Sequence, residues 1–277
     1  MTIRRTWTRD ELLLALRLYM RLPFGKLHKR NPEIIALAQK LDRTPSSVGM
    51  KACNFASLDP DQRDRGIAGL SGASAADRGI WNEFSNNPEQ LAAECEEAAE
   101  NLGLIDTETL YTKAALVERR ESKSTQHPTT ILSGETEQTR WIRGRRVQSF
   151  FRAAVLTSYG SRCAISGIAI ADLLNASHII PWSASVERRA DPTNGLCLNA
   201  LFDRAFDRGL ITLDDDHRVV VASTLVMDLE SAALRCDLEK IHGRPIIAPT
   251  RFLPNAEALA FHREHVFGGN RNAAPSP

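Results

Sequence analysis

The sequence predicts an α+β protein in two parts: a helical N-terminal domain over residues 1–117 and, after a linker at 118–139, a mixed domain over 140–277. Three observations carry this. Apolar residues recur at helical spacing, with capping residues, through the first hundred positions. A polar, aperiodic stretch, ERRESKSTQHPTTILSGETEQ, then breaks the pattern from Glu118 to Gln138. Beyond it, turn, strand and helix signals alternate over short distances.

The first helix reads over 8–22, with Thr8 as N-cap and Glu11 at the capping-box position, and Pro23 and Gly25 stop it. Pro32 suits the first turn of a second helix reaching Leu41, capped by Asn31. A third helix follows Thr44-Pro45-Ser46-Ser47 and runs to about Phe55; the pair is compatible with a helix-turn-helix. Residues 74–102 supply one or two further helices with an acidic surface, and residues 141–159 another helix. An apolar strand is expected from Leu173 to Ile180, a loop over 181–193, and a helix from Leu198 to Arg208 ended by Gly209. LITL and RVVVAST, on either side of DDDH, read as a β-hairpin.

The net charge of +1 conceals a division along the chain. Residues 1–51 hold 11 Lys/Arg against 4 Asp/Glu, whereas residues 59–118 hold 4 against 13. Residues 140–152 then carry five Arg and no acid. Basic blocks attract phosphate by counterion release, although either block alone also fits a solvated charged face. Five cysteines, none in a C-x-x-C pair, argue against a disulfide framework or a zinc knuckle and read as small buried hydrophobes. No apolar run approaches membrane-spanning length and no signal core follows the basic start, so the expected location is cytoplasmic.

One constellation carries chemistry. His178 closes an apolar strand before a Pro-bearing loop, and Asp203 and Asp207 lie four residues apart on the following helix, projecting from one face. Two carboxylates on one face repel unless a cation sits between them, and hard Mg²⁺ or Mn²⁺ is the natural partner. A histidine in reach could take a proton from water and direct it at a phosphodiester. Spacing alone leaves the alternatives open: a hydrogen-bonded structural histidine, and a solvated Asp pair partnered by Arg204 and Arg208.

Cys163-Ala-Ile-Ser166-Gly167, Ser177-His178-Ile-Ile-Pro181-Trp182, Asn194-Gly195-Leu196 and Phe202-Asp203-Arg-Ala-Phe206-Asp207-Arg-Gly209 stand in order over about 60 residues. This stretch resembles the HNH endonuclease family, and the N-terminal W-T-R-D-E-L and R-T-P-S-S-V resemble the leader domain attached to such nucleases. The resemblance implies a ββα-metal nuclease domain behind a DNA-binding-like helical one. It implies that His178 is the general base, that Asn194 holds the loop that orients the imidazole, and that Asp203 and Asp207 are metal ligands. The chain departs from the family where Phe202 and Asp203 replace the last histidine of the acronym, and where Ser177 stands in place of a frequent Asp or His ligand. One divalent ion, Mg²⁺ or Mn²⁺, and a fall in rate below about pH 6.5 follow from that mechanism.

Double-stranded DNA is the expected partner. Ser46, Ser47, Lys51 and Asn54 are expected on one side of the third helix, facing phosphates and base edges, with a capped, solvated helix as the equal alternative. Arg140, Arg143, Arg145, Arg146 and Arg152 are expected to grip the backbone beside the cut. A double-strand cutter with one site per chain is expected to form a homodimer, although no segment declares a dimer face. The competing reading is a DNA-binding regulator with an inactive HNH fold, and cleavage of RNA or single strands is a third. His262 and His265 read as surface histidines.

Overall fold

In the computed structural model, which describes residues 5–66, 72–104, 135–222 and 238–268, the chain divides into two compact units. Residues up to 58 and from 72 to 150 make the first; 59–66 and 151–268 make the second. The division falls within a helix, between Phe150 and Phe151; residues 118–134 of the stretch expected as linker lie outside the described residues.

In the first unit, α1 (Arg9–Arg21) opens with the full Thr8–Glu11 capping box and is buried almost all round, from Glu11 to Met20. Helix α2 (Pro32–Lys40) starts on Asn31, whose side chain accepts from Glu33 N–H at 2.9 Å. Helix α3 (Pro45–Leu58) runs one turn past the expected end. Helix α4 (Pro60–Asp64) falls to the second unit. The acidic region forms two helices, α5 (Ala75–Asn86) and α6 (Pro88–Asn101), each started by a side-chain cap. Helix α7 (Glu135–Ser158) begins earlier than expected; its residues to Phe150 belong to this unit and those from Phe151 to the second.

Charges hold this helical unit together. The Arg17 guanidinium grips both oxygens of Glu96 at 2.9 and 3.1 Å, in a buried pair. Arg143 bonds Gln90 at 2.7 Å, and Arg146 bonds Glu100 at 2.7 and 3.1 Å and pairs with Glu97 at 3.1 Å. The acidic face of α6 and the Arg-rich turns of α7 therefore pair with each other, so Arg143 and Arg146, expected to grip DNA, already have partners in the helical unit. Arg145 lies over the Trp141 ring at 5.2 Å, and Arg140 is exposed.

The second unit is built on two antiparallel strand pairs. Strands β1 (Leu174–His178) and β2 (Gly195–Asn199) place His178 opposite Gly195. Helix α8 (Ala200–Asp207) follows directly, with the Asn199 side chain accepting from Phe202 N–H at 3.0 Å. The hairpin expected around DDDH is present as β3 (Ile211–Leu213) and β4 (Val219–Val221). Helix α9 (Ala256–His265) completes the core, which gathers Phe151, Leu174, Leu196, Phe206, Ile211 and Leu259. The strand β2 was not read from the sequence: all five of its residues are buried, so no alternation marks it.

Gly209 ends α8 with φ +65°, and the chain beyond α9 closes over it. A Cβ there would come within 2.0 Å of the Val266 carbonyl oxygen, a backbone atom that cannot swing aside. Gly209→Ala combines left-handed strain with that collision, so a loss of about 2–3 kcal/mol is expected from chemical denaturation of the second unit. A loss under about 0.5 kcal/mol would show that the 266–268 segment does not sit there in solution.

Candidate active site

The strand pair and α8 bring His178, Asn194, Asp203 and Asp207 into one region of the second unit. His178 stands at the last position of β1, half-buried, with its ring stacked on Phe151 at 3.8 Å and 10° and edge-on to Trp182 at 5.6 Å. Gly195 makes that stack possible. Opposite His178, any Cβ would strike Phe151 at 2.9 Å and Val155 at 2.4 Å, so only glycine lets α7 lie this close.

The His178 Nε2 lies 3.0 Å from the Arg189 carbonyl oxygen. A carbonyl only accepts, so the neutral ring carries its proton on Nε2 and keeps the Nδ1 lone pair for another proton. Asn194 holds the loop that supplies this carbonyl. It is wholly buried, accepts from Ile180 N–H at 2.8 Å, and donates to the carbonyls of Ile180 at 3.2 Å and Arg188 at 3.1 Å. Arg189 is further tied by its Nε to the Trp182 carbonyl at 2.9 Å, and its guanidinium lies over the Trp182 ring.

Burial pulls the His178 imidazole below its usual value; the Arg189 charge adds to this, while the Arg189 carbonyl and Asp203 oppose it. The ring is therefore neutral at pH 7, and the acid limb expected near pH 6.5 moves to lower pH.

Asp203 and Asp207 lie one turn apart on α8. Asp203 is half-buried and accepts from the Asn175 amide at 2.6 Å, a contact that the sequence reading missed. Lost hydration, then the Asp203 charge, push the Asp207 carboxyl up to about 6 against the pull of Arg204 and Arg208. Asp207 is exposed, so water moderates the first effect, and like-charge repulsion along the helix is the firmer cause.

Two carboxylates alone make a thin donor set, and among the described residues no group of three or more His, Cys, Asp or Glu could hold an ion. The adjacent strand offers one further oxygen. Ser177 sits two residues from Asn175, on the same strand face, and its hydroxyl is buried without a hydrogen-bond partner among the described residues. An all-oxygen set of this kind suits Mg²⁺ or Mn²⁺ and leaves the other positions to water and substrate.

His262 is not the surface residue expected from the sequence. It is 1% exposed, stacked on Phe206 at 3.7 Å, donating from Nε2 to the Phe206 carbonyl at 3.1 Å and accepting from Thr212 Oγ1 at 2.8 Å. Burial takes its pKa down to about 4. The unfolded chain takes up a proton near 6.5 whereas the folded one does not until about 4, so stability is full above 6.5 and falls as pH drops through that window. The loss amounts to about 3 kcal/mol, and His262→Gln is expected to flatten the pH dependence of thermal unfolding between those limits. An unchanged slope in the variant would show that residue 262 is not the source.

The other expected DNA contacts are dispersed. Ser46 is exposed and Ser47 half-buried, its hydroxyl donating to the Thr44 carbonyl at 2.9 Å. Lys51 and Asn54 point inward: Lys51 bonds Asp77 at 2.9 and 3.2 Å, and Asn54 donates to Asp77 at 3.0 Å. Helix α3 is packed by α1, α2 and α5 and keeps only Ser46 and Met50 exposed.

Residues 163–214, which contain all four candidate site residues, match the family model of the HNH endonuclease. No curated protein matches the chain. Among solved structures the chain is similar to a modification-dependent TagI restriction endonuclease, at 22% identity and a TM-score of 0.33. The likeness covers 42% of this chain and spans only 37% of that one. No helix among the described residues is long and apolar enough to cross a membrane.

Proposed function

We propose that this protein is an HNH endonuclease that hydrolyses phosphodiester bonds in double-stranded DNA with one divalent ion, Mg²⁺ or Mn²⁺, in a restriction or defence role. The observation that carries the reading is the His178 ring, held through Nε2 by the Arg189 carbonyl so that its Nδ1 keeps a lone pair, within the segment that matches the family. Nδ1 of His178 accepts the proton of the attacking water. Asn194 keeps the 180–188 loop, and with it the Arg189 carbonyl, in place beneath the ring. Asp203, Asp207 and the Ser177 hydroxyl would hold the cation, which when bound supplies positive charge to the scissile phosphate.

The test is plasmid cleavage by the full chain in Mg²⁺ or Mn²⁺ against a chelator, with the ends mapped on modified and unmodified DNA. Cleavage that needs the metal supports the reading. The sparse donor set favours one alternative, a DNA-binding regulator on an inactive fold. Tight binding with no nicking in either metal would establish that alternative. A homodimer belongs to the proposal only if both strands are cut together, which sedimentation of the DNA complex would report.

A further inference from the structure

The described basic residues between positions 5 and 51 are mostly engaged by acids of the same unit. Of the ten described Lys and Arg between positions 5 and 51, six face acids: Arg5 and Arg43 at Glu11, Arg9 at Glu83 and Glu94, Arg17 at Glu96, Arg21 at Glu33, and Lys51 at Asp77. Lys26, Lys29, Arg30 and Lys40 form no ion pair among the described residues, and all four are exposed. Three of them fall in a single five-residue stretch, with exposed His28 between them.

That stretch is held in shape. A 3₁₀ turn at Phe24–Lys26 enters it, and Leu27 is buried as its anchor. Backbone bonds from Leu27 N–H to the Phe24 carbonyl at 3.0 Å and from Asn31 N–H to the His28 carbonyl at 2.9 Å fix both ends. Its backbone at His28 and Lys29 packs on Gly49 of α3, where an added Cβ would lie 3.7 Å away. Ser46, one turn back from Gly49, and Met50, its neighbour, are the residues of α3 left exposed beside this contact.

We propose that the Lys26–Arg30 loop is the surface through which the helical unit grips the phosphate backbone of duplex DNA. Unpaired, solvated cations on an ordered loop release condensed counterions on meeting phosphate and lose no internal partner in doing so. The cations of α1, α3 and α7 that face carboxylates must break ion pairs to do the same. This assignment rests on the DNA substrate of the proposed function and moves its contact from the buried face of α3 to the loop that packs against it.

The experiment measures binding of the full chain to a short duplex by fluorescence anisotropy in chelator, across about 50 to 200 mM salt, so that no cleavage enters. The triple variant Lys26→Gln, Lys29→Gln, Arg30→Gln is compared with wild type and with Lys40→Gln. The slope of log affinity against log salt is expected to fall by about 2.7 for the triple variant and by about 0.9 or less for Lys40→Gln. Since the three side chains are exposed, the triple variant should melt like wild type. An unchanged slope at intact fold would overturn the proposal, and so would a loop-dependent slope seen with RNA but not with DNA. Wild-type binding here, together with no plasmid nicking in Mg²⁺ or Mn²⁺, would sink the nuclease reading while leaving this surface standing. Absence of any duplex binding would sink both.

Discussion

His178→Gln is expected to bind DNA and to unfold like the wild-type chain while cleaving about 10²- to 10⁴-fold more slowly. Glutamine still offers an N–H to the Arg189 carbonyl and fills the slot against Phe151, but it has no lone pair of imidazole basicity. His178→Ala removes the ring altogether and should be at least as inactive, with some loss of stability from the vacated stack. The pH profile makes the assignment specific. On the proposed mechanism the neutral imidazole is the active form, and burial lowers its pKa, so the acid limb is expected below pH 6.5. In the glutamine variant whatever rate remains should have lost that limb. Retention of more than a tenth of the wild-type rate, or of an unaltered limb, would remove His178 from the proton transfer.

Local geometry was more legible in the sequence than the surfaces were. Periodicity and caps located α1, α2 and the hairpin, because Thr8, Asn31 and the DDDH turn act through local geometry that spacing encodes. The α8 carboxylates were legible for the same reason. What spacing could not give was the partner of each charge. Lys51 looks like a phosphate contact until α5 brings Asp77 against it from 26 residues away, and Arg146 until α6 brings Glu100 from 46. His262 looks like a surface residue until β3 and α8 enclose it. These are long-range facts, and composition bears on them only through charge balance: an acidic block between two basic ones is equally the pattern of a protein whose blocks pair with each other. Strand β2 escaped because it is buried on both faces, and Asn175 because its role depends on a contact 28 residues away.

The same pairing sets the largest stability effect expected in the molecule, at Asp77. Its side chain is wholly buried and closes the α5 capping box with Ser74, accepting from Ser74 N–H at 2.8 Å while holding Lys51 and Asn54. Burial by itself would raise this carboxyl; the Lys51 ammonium, the Ser74 N–H and the Asn54 amide outweigh it and hold the group below the usual carboxylate range. Asp77→Ala strips all three donors of their acceptor and leaves an ammonium buried without a counter-charge, a loss of about 3–5 kcal/mol from the helical unit. Because the folded value lies below the unfolded one, the contribution is present above about pH 4 and fades as pH falls through the folded value, so wild type and variant should converge in strong acid. Combining Asp77→Ala with Lys51→Met removes the stranded charge and should recover part of the loss, whereas Lys51→Met alone should weaken stability and leave DNA affinity unchanged. The reverse pattern in the single Lys51 variant, intact stability with weaker DNA binding, would put this lysine on the outside after all and return α3 to the DNA.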